Sequence, residues 1–192
     1  MGDFGFYFGI GWQHIISLDA LDHQLFLLVL TVLYTFKQWK QVLILVTAFT
    51  VGHSITLALS TLSIIEVSAR WIEFFIPCTI LITAVINIFQ SRASQKLMIV
   101  NYTLALVFGL IHGLGFANTL KYMLASDQSL GWALLSFNLG VEVGQVVLVI
   151  FLLGLYHIIV NRLTFKQRYL IVATSILVII VSLKMIADRF PL

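Results

Sequence analysis

The stretch Leu130–Val160 reads LGWALLSFNLGVEVGQVVLVIFLLGLYHIIV, and its only Asp, Glu, Lys or Arg is Glu142. About 20 consecutive apolar residues cross the ~30 Å hydrocarbon core of a bilayer as a helix. This stretch exceeds that length, so it predicts a membrane-crossing helix with room to tilt. Five more stretches read the same way: Ala20–Phe36, Gln41–Ile64, Trp71–Phe89, Leu97–Asn118 and Tyr169–Ala187. The expected fold is all-α, a polytopic membrane bundle of about six transmembrane helices.

Composition agrees. The 192 residues are 60% hydrophobic and 10% charged, with a mean hydropathy of +1.05. A soluble domain is nearer half apolar and a quarter charged. A disordered chain, a secreted disulfide scaffold and a nucleic-acid binder are excluded. The net charge of +3 and pI near 9.1 read as an orientation signal, not a nucleic-acid footprint. The single cysteine, Cys78, forms no intrachain disulfide and no thiolate cluster, and beside Pro77 it reads as packing at a kink. There is no short-period repeat, and the polar motifs of the two halves do not match as an inverted repeat requires. Residues 1–192 therefore read as one integral membrane domain.

Ahead of the first span, Met1–Asp19 carries Gly2, Gly5, Gly9 and Gly11 among Phe4, Phe6, Tyr7, Phe8 and Trp12. It lacks a basic n-region and a small-residue cleavage site, so it reads as a retained segment, interfacial or folded back into the bundle. The connections alternate in charge. Lys37, Lys40, Arg92, Lys96, Arg162, Lys166 and Arg168 follow spans one, three and five without an acid. On the other side Arg70, Lys121, Lys184 and Arg189 are diluted by Asp3, Glu66, Asp127 and Asp188. The positive-inside rule puts the first set in the cytoplasm, which leaves both termini periplasmic in a bacterial inner membrane.

Ionisable groups within spans are costly and mark function. His14, Asp19, Asp22 and His23 crowd the expected outer entrance of span one; His53, His112 and Glu142 sit inside spans two, four and five. Counting along the helices puts His53 roughly 16 Å, Glu142 roughly 18 Å and His112 roughly 9 Å from their outer ends. Four histidines and two carboxylates thus share one depth band. Asn138, Glu142 and Gln145 fall on one helix face, as do Thr50, His53 and Thr56. Gly109 and Gly113 bracket His112, and Gly140 and Gly144 bracket Glu142, so small-residue seams predict that spans four and five press together there. The competing reading is structural: a lone membrane histidine more often bonds between helices, and Asp19 and Glu73 suit caps or ion pairs, Glu73 with Arg70. His157, near the inner end of span five, reads as an interface residue.

Imidazole and carboxylate without thiolate suit borderline divalent ions, nickel, cobalt or zinc. His14, Asp22, His23, His53 and His112 are the candidate ligands. Asp22 cannot face the same way as His23 on a helix but can orient a neighbouring imidazole. Asp19, Thr50, Asn138, Glu142 and Gln145 are candidates for a supporting shell or pathway. No nucleotide-binding motif is present.

At these residues the chain resembles the HupE/UreJ family, in particular its second, shorter branch. The resemblance is carried by His14 with Asp22-His23-Gln24-Leu25-Phe26, by Phe49-Thr50-Val51-Gly52-His53-Ser54, by Phe108-Gly109-Leu110-Ile111-His112-Gly113, and by Phe137-Asn138-Leu139-Gly140-Val141-Glu142-Val143-Gly144-Gln145. Relative to the family's usual signature, the gap from His14 to Asp22 is two residues longer and no proline follows His14. The resemblance implies a nickel or cobalt permease, with Asp22, His23, His53 and His112 handling the metal. A second reading is a membrane-embedded zinc hydrolase or acyl-transfer enzyme, with metal on His23, His53 and His112 and Glu142 or Asp22 as base. A third is an assembly subunit whose histidines stitch helices. The expected partners are the lipid bilayer and a metal ion, no nucleic acid, and a second copy of the chain where the protein is a homo-oligomer.

Overall fold

The structure is a computed structural model that describes residues 2–90, 95–123, 129–162, 164 and 166–191. Arg92 and Asp127 lie outside the described residues, as do the side chains of Asp3, Lys96, Lys121 and Asn118. The described residues form seven α-helices and no strand: α1 (Gly2–Ile16), α2 (Leu21–Thr31), α3 (Trp39–Thr61), α4 (Ala69–Ile88), α5 (Gln95–Met123), α6 (Leu130–Asn161) and α7 (Gln167–Asp188). Helices α3 to α7 are each long and apolar enough to cross a membrane. Their outward faces carry unbroken apolar stripes, such as Val143, Val147, Ile150 and Phe151 on α6 and Ile176, Ile180 and Leu183 on α7. Such stripes suit a lipid environment.

The first span differs from the expected Ala20–Phe36. Helix α2 has 11 residues, about 16 Å of rise, roughly half a hydrocarbon core. The N-terminal segment supplies the other half: it forms α1 and meets the α2 limb at a 55° bend. Phe8 abuts Gly140 and Ile15 abuts Gly144, and Tyr156 donates to the Leu28 carbonyl. The bent pair therefore runs alongside α6 in the same direction. A break inside apolar surroundings must satisfy its freed backbone groups. Here the Gln24 amide donates to the carbonyls of Ile15, Ile16 and Ser17, at 3.3, 3.3 and 2.8 Å. The Asp22 carboxylate accepts the His23 N–H at 2.8 Å. The 3-10 turn Leu18–Ala20 lies in the break, between His14 and Asp22.

The glycine seams serve different partners from those expected. A Cβ at Gly109 would strike the Phe49 carbonyl, and one at Gly113 the His53 carbonyl and the Thr56 hydroxyl. A Cβ at Gly140 would strike the Phe8 carbonyl, and one at Gly11 the Phe137 carbonyl. Span four thus packs on α3 and span five on α1. The reason is geometric: backbone contact is closest where both helices are small-faced, and α3 presents Gly52 to α5 as α1 presents Gly11 to α6.

One end of the bundle gathers five of the basic residues. The Arg168 guanidinium donates to the carbonyls of Ile88 and Gln90. Asn101 donates to the Tyr34 hydroxyl at 3.1 Å. These bonds tie together the loop before α3, the end of α4 and the starts of α5 and α7, where Lys37, Lys40, Arg162, Lys166 and Arg168 lie. Helix α1 begins, and α7 ends, at the opposite end.

Candidate metal centre

Four imidazoles meet at the bend of the first span. The His23 ring centroid lies 4.6 Å from His14 and 4.3 Å from His112, and His14 lies 6.0 Å from His53. They come from α1, α2, α3 and α5. Asp22, His23 and His112 offer ligand atoms that all lie within 4.8 Å of one another. His14 and His53 border this trio through ring contacts. His112 lies about 16 Å from the end of α5 because that helix continues to Met123, not Asn118.

The outer nitrogens of three rings are fixed. His23 Nδ1 donates to Asp22 Oδ1 at 2.9 Å, His53 Nδ1 to Asn138 Oδ1 at 3.2 Å and His112 Nδ1 to the Phe108 carbonyl at 3.2 Å. Asn138 is oriented for this role because its own amide nitrogen donates to the Leu134 carbonyl at 2.8 Å. A proton on Nδ1 leaves the lone pair on Nε2. The Nε2 atoms of His14, His23, His53 and His112 are all buried without a hydrogen-bond partner. Leaving one such group unpaired costs about 1–3 kcal/mol. Four neighbouring imidazoles thus keep a nitrogen without a protein partner, and two of them, His23 and His112, stand with Asp22 as a group that could hold a metal ion.

Phenylalanines wall the imidazoles. Phe116 and Phe137 stack at 4.7 Å beside His14, and Phe108 lies 4.0 Å from His112. Phe26 and Phe108 stack at 3.6 Å beneath. Apolar walls lower the local dielectric and strengthen each charge interaction inside. A vestibule of about 260 Å³ opens onto the cluster, lined among others by His14, Asp19, Asp22, His23, Glu73 and Arg189.

The remaining candidates lie elsewhere. Thr47 donates to Glu142 Oε1 at 2.8 Å, and Thr50 to Gln145 Oε1 at 3.2 Å. Glu142, Thr50 and Asn138 border a lateral cleft between α3 and α6. Glu142 is therefore apart from the trio of Asp22, His23 and His112, and it is Asp22 that stands among the imidazoles as the carboxylate. His157 is exposed at the basic end and is bonded by Asn161 at 2.9 Å. The phenylalanine walls and Arg189 escaped the sequence reading. The former had a signal: Phe49 precedes His53, and Phe108 precedes His112, by one helical turn. Arg189 had none, since its approach to Asp22 is purely tertiary.

The family model described as HupE / UreJ protein matches residues 1–189. The chain belongs to the HupE/UreJ family. No curated protein and no solved structure matches it. In this HupE/UreJ member the four sequence motifs map onto one place: the cluster takes His14, Asp22 and His23 from the first, His53 from the second, His112 from the third and the supporting Asn138 from the fourth.

Asp22→Asn tests the supporting bond. It keeps an acceptor for His23 Nδ1 but removes the charge that makes the imidazole a stronger donor to metal. Nickel affinity of the purified protein, measured by equilibrium dialysis, is expected to fall 10- to 100-fold. An unchanged affinity would show that the carboxylate charge plays no part.

Proposed function

We propose that the protein is a secondary permease for a divalent transition metal, nickel or cobalt first, which binds in the histidine cluster. The observation that carries this reading is the set of four buried, unpartnered Nε2 atoms beside a carboxylate. That donor set suits borderline divalent ions. The family to which the chain belongs is associated with nickel and cobalt transport and is of transporter type. The basic end is assigned to the cytoplasm by the positive-inside rule, so the vestibule faces outward. A membrane potential negative inside then favours cation inflow by about 2.3 kcal/mol per charge for every 100 mV.

The route inward from the cluster follows the seam between α3 and α6. His53 is bonded to Asn138, and the next polar pairs along the seam are Thr50 with Gln145 and Thr47 with Glu142. These pairs line the seam with oxygen atoms, and a weaker oxygen site there would let a cation leave the imidazoles. Asn87 and Asn101, polar groups of the inner half, instead anchor the Val29 carbonyl and Tyr34.

Uptake of nickel, cobalt or zinc into proteoliposomes tests the reading; failure of the wild type to move any of them overturns it. Glu142→Gln is expected to lower uptake about tenfold or more while nickel binding in detergent stays within twofold of wild type. Equal loss of both would place Glu142 in the binding site instead of on the route.

A further inference from the structure

Arg189 projects from the end of α7 into the vestibule, and its Nη1 lies 3.7 Å from Asp22 Oδ2. The other oxygen of the same carboxylate, Oδ1, holds His23 Nδ1 at 2.9 Å. Asp22 is thus shared between an imidazole of the candidate centre and a guanidinium at its mouth. The pair is only partly hydrated, with Asp22 15% and Arg189 32% exposed. The arginine is held by its surroundings. Its backbone N–H donates to the Met185 carbonyl at 3.0 Å, and the adjacent Phe190 meets Phe74 of α4 edge-on at 5.5 Å. Asp19 and Glu73 line the same vestibule, yet the guanidinium pairs with the deepest of the three carboxylates.

We propose that Arg189 is a built-in counter-cation of the metal centre, occupying the charge of Asp22 until a divalent cation displaces it. This rests on the metal-binding reading above. An arginine keeps its charge at every physiological pH, so it competes with the cargo permanently. An arriving dication is repelled by the guanidinium and attracted by Asp22. It gains the second carboxylate oxygen, Oδ2, only when the guanidinium swings aside toward Asp19 and Glu73, the two other acids of the vestibule. A tethered arginine therefore weakens equilibrium binding, which suits a carrier that must also let go.

The test is nickel binding to the detergent-purified full chain, by equilibrium dialysis at fixed ionic strength. Arg189→Gln and Arg189→Ala are each expected to bind nickel on the order of tenfold more tightly than wild type. Arg189→Lys, which keeps the charge, is expected to stay within threefold of wild type. A merely structural arginine predicts the opposite sign, weaker binding with a lower melting temperature in both neutral variants. Neutral variants that bind as wild type, or more weakly, overturn this inference and leave the metal centre standing. A wild-type chain that binds no nickel overturns the metal-binding reading and this inference together.

Discussion

His112→Ala is expected to leave a folded protein whose affinity for nickel is at least ~100-fold weaker than that of the wild type. Loss of a partner that merely orients a ligand costs 10- to 100-fold, and in the proposed site His112 supplies a ligand nitrogen itself. It belongs to the close trio with Asp22 and His23, and its ring lies 4.3 Å from that of His23. The fold should tolerate the change. Truncation opens a cavity against Phe108, which costs stability, but it also removes a buried nitrogen that has no partner. The cavity costs about 2–5 kcal/mol, and removal of the unpartnered nitrogen offsets about 1–3 kcal/mol of it. Dialysis against nickel chloride reads the affinity, and a detergent melt reads the fold. His157→Ala is the control, since His157 is exposed at the far end of the bundle. A His112→Ala protein that binds nickel as the wild type does would remove His112 from the site.

Gly113→Leu is expected to prevent assembly of the bundle altogether. A Cβ at this position runs into the His53 carbonyl and the Thr56 hydroxyl. Neither can give way without moving α3, the helix that α5 packs on most extensively. Forcing extra methylenes into a packed core costs about 1–3 kcal/mol when side chains can adjust; here backbone must shift, so the cost lies at or above that range. The same shift would carry His53 away from the other imidazoles. Gly154→Ala is the matched control, because a Cβ there meets open space, and replacing a mid-helix glycine even adds roughly 0.5–1 kcal/mol. Size-exclusion chromatography and thermal melting in detergent separate the two variants. A monodisperse, normally melting Gly113→Leu protein would show that the α3–α5 seam is not as close as described.

Much of this was legible in the primary structure because the bilayer imposes length and polarity rules on each helix separately. The apolar run around Glu142 declared a crossing, and the charges before and after each run are the basis of the orientation expected from the positive-inside rule. The histidines stood out because an ionisable group in an apolar run is expensive wherever it points. Glycines at spacing four announced close contacts, since small residues are what permit backbones to meet in lipid. None of these signals names a partner. A small-residue face fits any helix that offers carbonyls at the right level, so the pairing of α5 with α3 and of α6 with α1 could not be read from spacing.

The break in the first span was equally hidden. Residues 20–36 are apolar enough to cross, and only the assembled bundle shows why they do not do so alone. Gln24 reaches back to three carbonyls at the end of α1, and that capping is a tertiary consequence of the bend. What the amino-acid order determined by itself was the class of molecule, the apolar runs long enough to cross a membrane, and the polar groups set within those runs. Those follow from transfer free energies, which are summed residue by residue. What tertiary packing decided was which imidazoles come together, what bonds Nδ1 of His23, His53 and His112, and which guanidinium shares Asp22. Those depend on distances between helices, and a one-dimensional pattern contains no such distances.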